Sequence, residues 1–274
     1  MDWNMRSASS RRKGRPQLDQ LRAKIRDIAP GALPALPTPP GVQGQASGEV
    51  RELLDLQAGL HEVCPQDYLD TPSALAVQTG FFSQALRRQD RACPIVWVRR
   101  TGGRSQDFGQ PYPLALRQWG LAPDRILLVE ASETVDTLWA MEEALNAGAW
   151  LMGEIGSEHR YDLTASKRLH MAAQAHGALA LILRSHDRVQ PSAALTRWRI
   201  SARPSPAEAW RGATGLPGMG APCFRAQLER ARGGPPRSFD IEWKHAAFHV
   251  LEPAPLANRP ATDLPPAPAQ RQIA

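Results

Sequence analysis

The stretch WGLAPDRILLVEASETVDTLWAMEEALNAGAWLMGEIG, residues 119–156, decides the fold. RILLVE (125–130) is a short apolar run of strand length, and Ser132 stands where it can cap a helix. Val135, Leu138, Trp139, Met141 and Leu145 then recur at helical spacing until Gly148. AWLMGEI (149–155) is a second apolar run. A strand, a helix and another strand in so few residues form a βαβ unit, whose two strands lie parallel in one sheet.

The alternation extends in both directions. Upstream, Gly59–Val63 reads as a strand, and Thr71-Pro72 as a cap followed by proline at the first helical position. The helix beyond it carries Ala74, Leu75, Gln78, Phe81, Phe82, Ala85 and Leu86. A strand at Pro94–Val98 and a short helix from Pro113 to about Gly120 complete that side. Downstream, a helix after Asp162 turns Ala165, Leu169, Ala172, Ala173 and His176 inward. ALALILR (178–184) is apolar throughout, as a strand covered on both faces must be. Past Arg184 the helices stop: Ala193–Ser201, Phe224–Ala231, Ser238–Trp243 and Ala246–Leu251 all read as strands. The predicted class is α/β, a mainly parallel sheet flanked by helices and extended by C-terminal antiparallel strands.

Three regions follow. Residues 1–48 hold a basic segment and a Pro/Gly-rich linker, 49–252 the core, and 253–274 a Pro/Ala-rich tail expected to be disordered. Within the first, Leu18, Leu21, Ile25 and Ile28 fall on one helical face, with Arg22, Lys24 and Arg26 on the other. No apolar run approaches the ~18 residues of a membrane span, and no hydrophobic signal segment follows the basic N-terminus, so a cytoplasmic protein with no membrane role is expected. Cys64, Cys93 and Cys223 are odd in number and widely spaced, which argues against a disulfide framework or a cysteine zinc site.

The net charge of +6 is unevenly distributed. Residues 1–30 hold eight Lys or Arg against three Asp or Glu, and 184–237 hold ten against three, while 31–183 are acidic with twelve against seventeen. Blocks of positive charge raise the affinity and association rate for polyanions, nucleic acid among them.

The segment 119–156 resembles the RecA recombinase core in element order and apolar pattern. LTASKRLHMAAQAHGALALILR (163–184), AALTRWRIS (193–201) and ARGGPPRSFDIEW (231–243) resemble the ImuA family more specifically, the RecA-like accessory proteins of bacterial damage-inducible mutagenesis cassettes. The resemblance covers about residues 58–251. It implies a RecA-like core and a role in SOS-induced translesion DNA synthesis, with a Y-family-like polymerase homologue and a C-family error-prone polymerase as partners. RecA itself, or a second copy of the chain, is a further partner it suggests. A SulA-like cell-division inhibitor and a divergent RecA-type ATPase are the alternatives.

A RecA-type ATPase needs G-x-x-x-x-G-K-[ST] after its first strand, so that backbone amides and a lysine cradle phosphate. Here that loop reads CPQDYLDTPSALAV, with Asp67 and Asp70 but neither glycine nor lysine. The end of the second strand, VRRTGG (98–103), carries no acid, and WLMGEIG leaves Glu154 as the sole counterpart of a magnesium-orienting carboxylate. Three departures together predict no bound cofactor and no catalysis. His245 and His249 lack a third metal ligand, and Gly102-Gly103, Gly233-Gly234 and the connection 212–222 read as turns and loop rather than phosphate sites. Two interaction surfaces are expected instead. Arg184, Arg188, Arg197 and Arg199, in and beside the segment 185–194, are candidates for DNA phosphate contacts, the alternative being that they pair with acids or meet a protein. Leu18, Leu21, Ile25 and Ile28 are candidates for docking a partner.

Overall fold

The computed structural model describes residues 56–251 apart from 89–92, 103, 157–160, 188–189, 210–216 and 232–234, together with Gln20 and Leu54. In chain order the elements are β1 (Gly59–Pro65), α1 (Thr71–Leu86), β2 (Ile95–Arg100), α2 (Pro113–Gln118), β3 (Ile126–Ala131), α3 (Thr134–Asn146), β4 (Trp150–Ile155), α4 (Leu163–Ala175) and β5 (Leu179–Arg184). There follow β6 (Thr196–Arg203), β7 (Ala207–Ala209), β8 (Pro217–Met219), β9 (Cys223–Ala231), β10 (Arg237–Lys244) and β11 (Ala247–Leu251). The predicted class is the one observed. Nine strands form one sheet in the order β11-β10-β9-β6-β1-β5-β4-β2-β3. From β6 to β3 neighbouring strands run parallel, and β9, β10 and β11 add on antiparallel.

Strand composition follows position. β1, β4 and β5 are buried at every residue and sit inside the sheet, whereas edge strand β3 has an exposed Leu128. α1 covers one face: Phe81 packs on Trp198 and Phe248, and Gly80 lies so close to Phe248 that a Cβ there would stand 2.5 Å from its ring. α3 and α4 cover the other face, where Gly153 leaves room for Met141 and Ile182. Beyond β6 that second face carries cross-strand charge pairs, Arg199 with Glu229 and Arg225 with Asp240, in place of a helix.

Several local expectations are corrected. The start of α1 is not capped by Thr71: a 3₁₀ turn at Tyr68–Asp70 runs directly into the helix, and Thr71 donates its hydroxyl to the Tyr68 carbonyl instead. Ser132 does not cap α3, whose N-cap position is Glu133 with no side-chain cap bond. On α3, Val135 and Trp139 face outward, because Thr137, Ala140, Met141, Ala144 and Leu145 form the stripe that meets the sheet. His176 is exposed at the end of α4, and His170, on the inward stripe with Ser166 and Leu169, is the buried histidine of that helix. The connection 212–222 is not loop throughout, since Pro217–Met219 pairs antiparallel with Ala207–Ala209. His245 and Ala246 form the two-residue turn between β10 and β11, both at positive φ, as a tight hairpin with right-handed strand twist requires.

Candidate functional site

Parallel strands deliver their following loops to one edge of the sheet, where doubly wound folds bind ligands. At the end of β1, Asp67 accepts hydrogen bonds from the backbone N–H of Leu69 (2.8 Å) and Asp70 (3.2 Å). The amides that would face a phosphate are thus satisfied by the loop's own carboxylate. Asp70 in turn accepts from the Ala202 N–H at 2.8 Å, which ties the loop to β6. At the end of β2, buried Arg99 binds Glu130 of β3 through Nε (3.0 Å) and Nη2 (2.7 Å). Glu154, the candidate acid of β4, is buried and accepts the indole N–H of Trp97 at 2.6 Å.

The same edge presents an aromatic cluster. The Tyr68 ring lies 5.0 Å from Phe108 and 6.3 Å from His186, and its hydroxyl donates to Asp107 at 2.7 Å. Leu69 beside it is 77% exposed. Loops after β1, β2 and β5 contribute these residues, so nothing in their local sequence marks them as neighbours.

Beneath the loops lies a buried ionic centre. Glu62 of β1 is fully enclosed; its Oε1 accepts from Tyr161 Oη (3.0 Å) and Arg184 Nη1 (3.1 Å), and its Oε2 from Arg197 Nε (2.8 Å). The Arg184 guanidinium also stands 4.5 Å over the Tyr161 ring. Arg197 continues to the Gln190 carbonyl (3.0 Å) and Ser192 Oγ (3.1 Å), and Arg230 donates to the Ser192 carbonyl at 2.6 Å. Burial, with the Glu62 carboxylate alongside, holds the Tyr161 hydroxyl well above the usual phenol range. β1, β5, β6 and the loop before α4 therefore meet at one carboxylate, and Arg197 extends the network to the segment after β5.

Two of the predicted basic residues, Arg184 and Arg197, meet at Glu62. Arg199 pairs with Glu229 and donates to the Pro65 carbonyl at 3.1 Å. Arg188, Leu18, Leu21, Ile25 and Ile28 lie outside the described residues. Glu62 is not among the candidate residues above, although it gives a usable signal: a carboxylate inside an otherwise apolar strand requires a cation, and Arg184 closes the neighbouring buried strand. Among the described residues no cluster of three His, Cys, Asp or Glu could hold a metal, and no helix is long and apolar enough to cross a membrane.

Protein ImuA of Caulobacter vibrioides is 29% identical to this chain over 206 residues, spanning 69% of the chain and 76% of the relative, in each of two strains. The chain is thus similar to an ImuA protein over most of its length. This similarity agrees with the resemblance of residues 163–184, 193–201 and 231–243 to the ImuA family. No protein-family model matches. The crystal structure of SulA from Pseudomonas aeruginosa is 21% identical, covers 46% of this chain and 97% of its own, and superposes with a TM-score of 0.35, too loosely to inform the role of this chain.

Proposed function

We propose that this ImuA-family chain is a non-catalytic, cytoplasmic accessory protein of SOS-induced translesion synthesis that joins a Y-family-like polymerase homologue to a C-family error-prone polymerase. One observation carries the non-catalytic part: Asp67 binds the amides of its own turn, at the position where a phosphate cradle would stand. Glu154 and Arg99 support it, each bonded to a neighbouring strand rather than directed at the edge. Leu18, Leu21, Ile25 and Ile28 are the proposed contact with the polymerase homologue, RecA or a second copy.

DNA phosphate contact is proposed for Arg188 and, in part, Arg199. Arg184 and Arg197 act through Glu62, holding the segment after β5 in place rather than facing solvent. The test is co-purification of the full-length chain with its cassette polymerases from damage-induced cells. Recovery of both, reduced by Leu21→Asp/Ile25→Asp, supports the proposal; a chain recovered alone from induced cells overturns it. Binding of a single-stranded oligonucleotide that weakens steeply with salt supports the phosphate contacts, and no binding at low salt removes them.

A further inference from the structure

Beyond β6, the sheet face that α3 and α4 cover elsewhere carries a row of arginines. Residues two apart on a strand share a face, so Arg199 and Arg203 of β6 point the same way, and Ser201 between them pairs with Arg225 of β9. The register therefore sets Arg225 midway, and the three arginines succeed one another at about 7 Å along the strand. Glu229 takes Arg199. Arg203 (3.5 Å) and Arg225 (2.9 Å) share one carboxylate, Asp240, and their side chains are 43% and 40% exposed. Two guanidinium groups on one carboxylate leave a positive charge and several N–H donors toward solvent. Glu242, another acid of this face, stands on β10, across β9 from the row.

The row ends at the aromatic cluster. Arg199 donates to the Pro65 carbonyl at 3.1 Å, and the Ala202 N–H to Asp70, so the turn that carries Tyr68 is fastened to the end of β6. Tyr68 and Phe108 are exposed there, with His186 edge-on beside Tyr68. The carboxylates of this edge are engaged by its own donors: Asp67 by two amides of its turn, Asp70 by Ala202, Asp107 by Tyr68 and Asp187 by Ser185. Half-buried Arg100, donating to the Ser132 carbonyl, adds a cation at the end of β2. Rings beside a cationic row suit a single strand of nucleic acid, whose bases stack on aromatic side chains while its phosphates follow the arginines. A duplex keeps its bases inside, and an acidic peptide would use the arginines alone.

We infer that this surface binds single-stranded DNA, its phosphates along Arg199, Arg225 and Arg203 and its bases against Tyr68, Phe108 and His186. The inference deepens the DNA contact proposed above: it rests on that reading, and it adds two exposed arginines of the open face and a stacking platform built from the loops after β1, β2 and β5. Neither contact needs a 2′-hydroxyl, so DNA suffices. The polymerase partnership is not required, and co-purification can fail while the strand still binds.

Fluorescence anisotropy of a labelled oligodeoxynucleotide of about 15 residues, titrated with the full-length chain over a range of salt, tests it. Arg203→Ala/Arg225→Ala should weaken binding roughly tenfold or more and reduce the salt slope by about 1.4, the share of two phosphates. Tyr68→Ala/Phe108→Ala should weaken it roughly tenfold or more with the slope unchanged. Asp240→Asn removes the carboxylate that both arginines share and should tighten binding, a gain that a misfolded chain does not produce. Full affinity in either double variant overturns the inference, as does a duplex, a polyglutamate or an RNA of the same sequence bound more tightly than the single-stranded DNA. Arg188→Ala separates the two readings. Loss there, with Arg203→Ala/Arg225→Ala unaffected, keeps the earlier phosphate contact and overturns this surface; the opposite pattern supports this surface and removes Arg188. No binding at low salt overturns both.

Discussion

Replacing Glu62 with Gln keeps the shape of the side chain and removes its charge, which isolates what the buried ionic centre contributes. Three donors converge on this carboxylate, two of them guanidinium groups: Arg184, whose side chain is 4% exposed, and Arg197, 13% exposed. Arginine does not deprotonate to relieve the loss, so both cations remain charged in an enclosed site. Breaking a buried ion pair from one side costs about 3–5 kcal/mol, and a domain of this size loses about 2–4 °C of melting temperature per kcal/mol. Glu62→Gln should therefore lower the melting temperature by roughly 6–20 °C, with a matching fall in the urea midpoint followed by tryptophan fluorescence. Removing all three charges, as Glu62→Leu/Arg184→Met/Arg197→Met, should recover most of the loss, because apolar replacements of similar volume leave no ion behind. A loss below about 1 kcal/mol in Glu62→Gln, or a triple variant no better than the single, would refute the assignment of this centre as a coupled unit.

Acid should weaken the fold through His61, whose pKa burial lowers to about 4 from 6.5. A folded state that resists protonation binds fewer protons than the unfolded chain between pH 6.5 and 4, so stability is full above 6.5 and falls across that window, by roughly 3 kcal/mol, measurable as the urea midpoint against pH. Gly80→Ala should destabilise although alanine is the better helix former: the clash with Phe248, 2.5 Å from the new Cβ, outweighs the ~1 kcal/mol of helix propensity. A higher melting temperature for that variant would show that the aromatic cluster yields. Cys64, enclosed and with its thiol pushed up to about 12, should stay unmodified by thiol reagents at pH 8 in the native state, while the less buried Cys93 labels first; rapid labelling of Cys64 would contradict its burial.

The parallel half of the sheet was legible because its strands are short apolar runs separated by helical spacing, and ALALILR could only be a strand covered on both faces. Element ends were less so. Nothing in Asp70-Thr71-Pro72 distinguishes a capped helix from a 3₁₀ turn continuing into one, since the choice depends on Asp67 bonding back to its own turn and on Asp70 reaching Ala202. Trp139 follows the apolar pattern of α3 yet faces outward, because small residues such as Ala140 and Ala144 fill the seam against the sheet. The basic block after Arg184 was visible as charge, but its acids were remote in sequence: Glu62 lies in the first strand, and Glu229 and Asp240 in later ones. The aromatic cluster of Tyr68, Phe108 and His186 exists only through the parallel topology that brings three loops to one edge.

Glu154→Gln asks whether the proposed service in damage-induced mutagenesis proceeds without nucleotide chemistry at the carboxyl edge. The amide oxygen can still accept the Trp97 N–H, so the fold is preserved while the acid at the magnesium-orienting position is removed. The measurement is the damage-induced mutation frequency of cells carrying this substitution in the chromosomal copy, beside parent and deletion strains. The expected frequency equals the parent's, with the deletion strain well below both. A fall of Glu154→Gln to the deletion level, with the protein present at normal abundance, would contradict it.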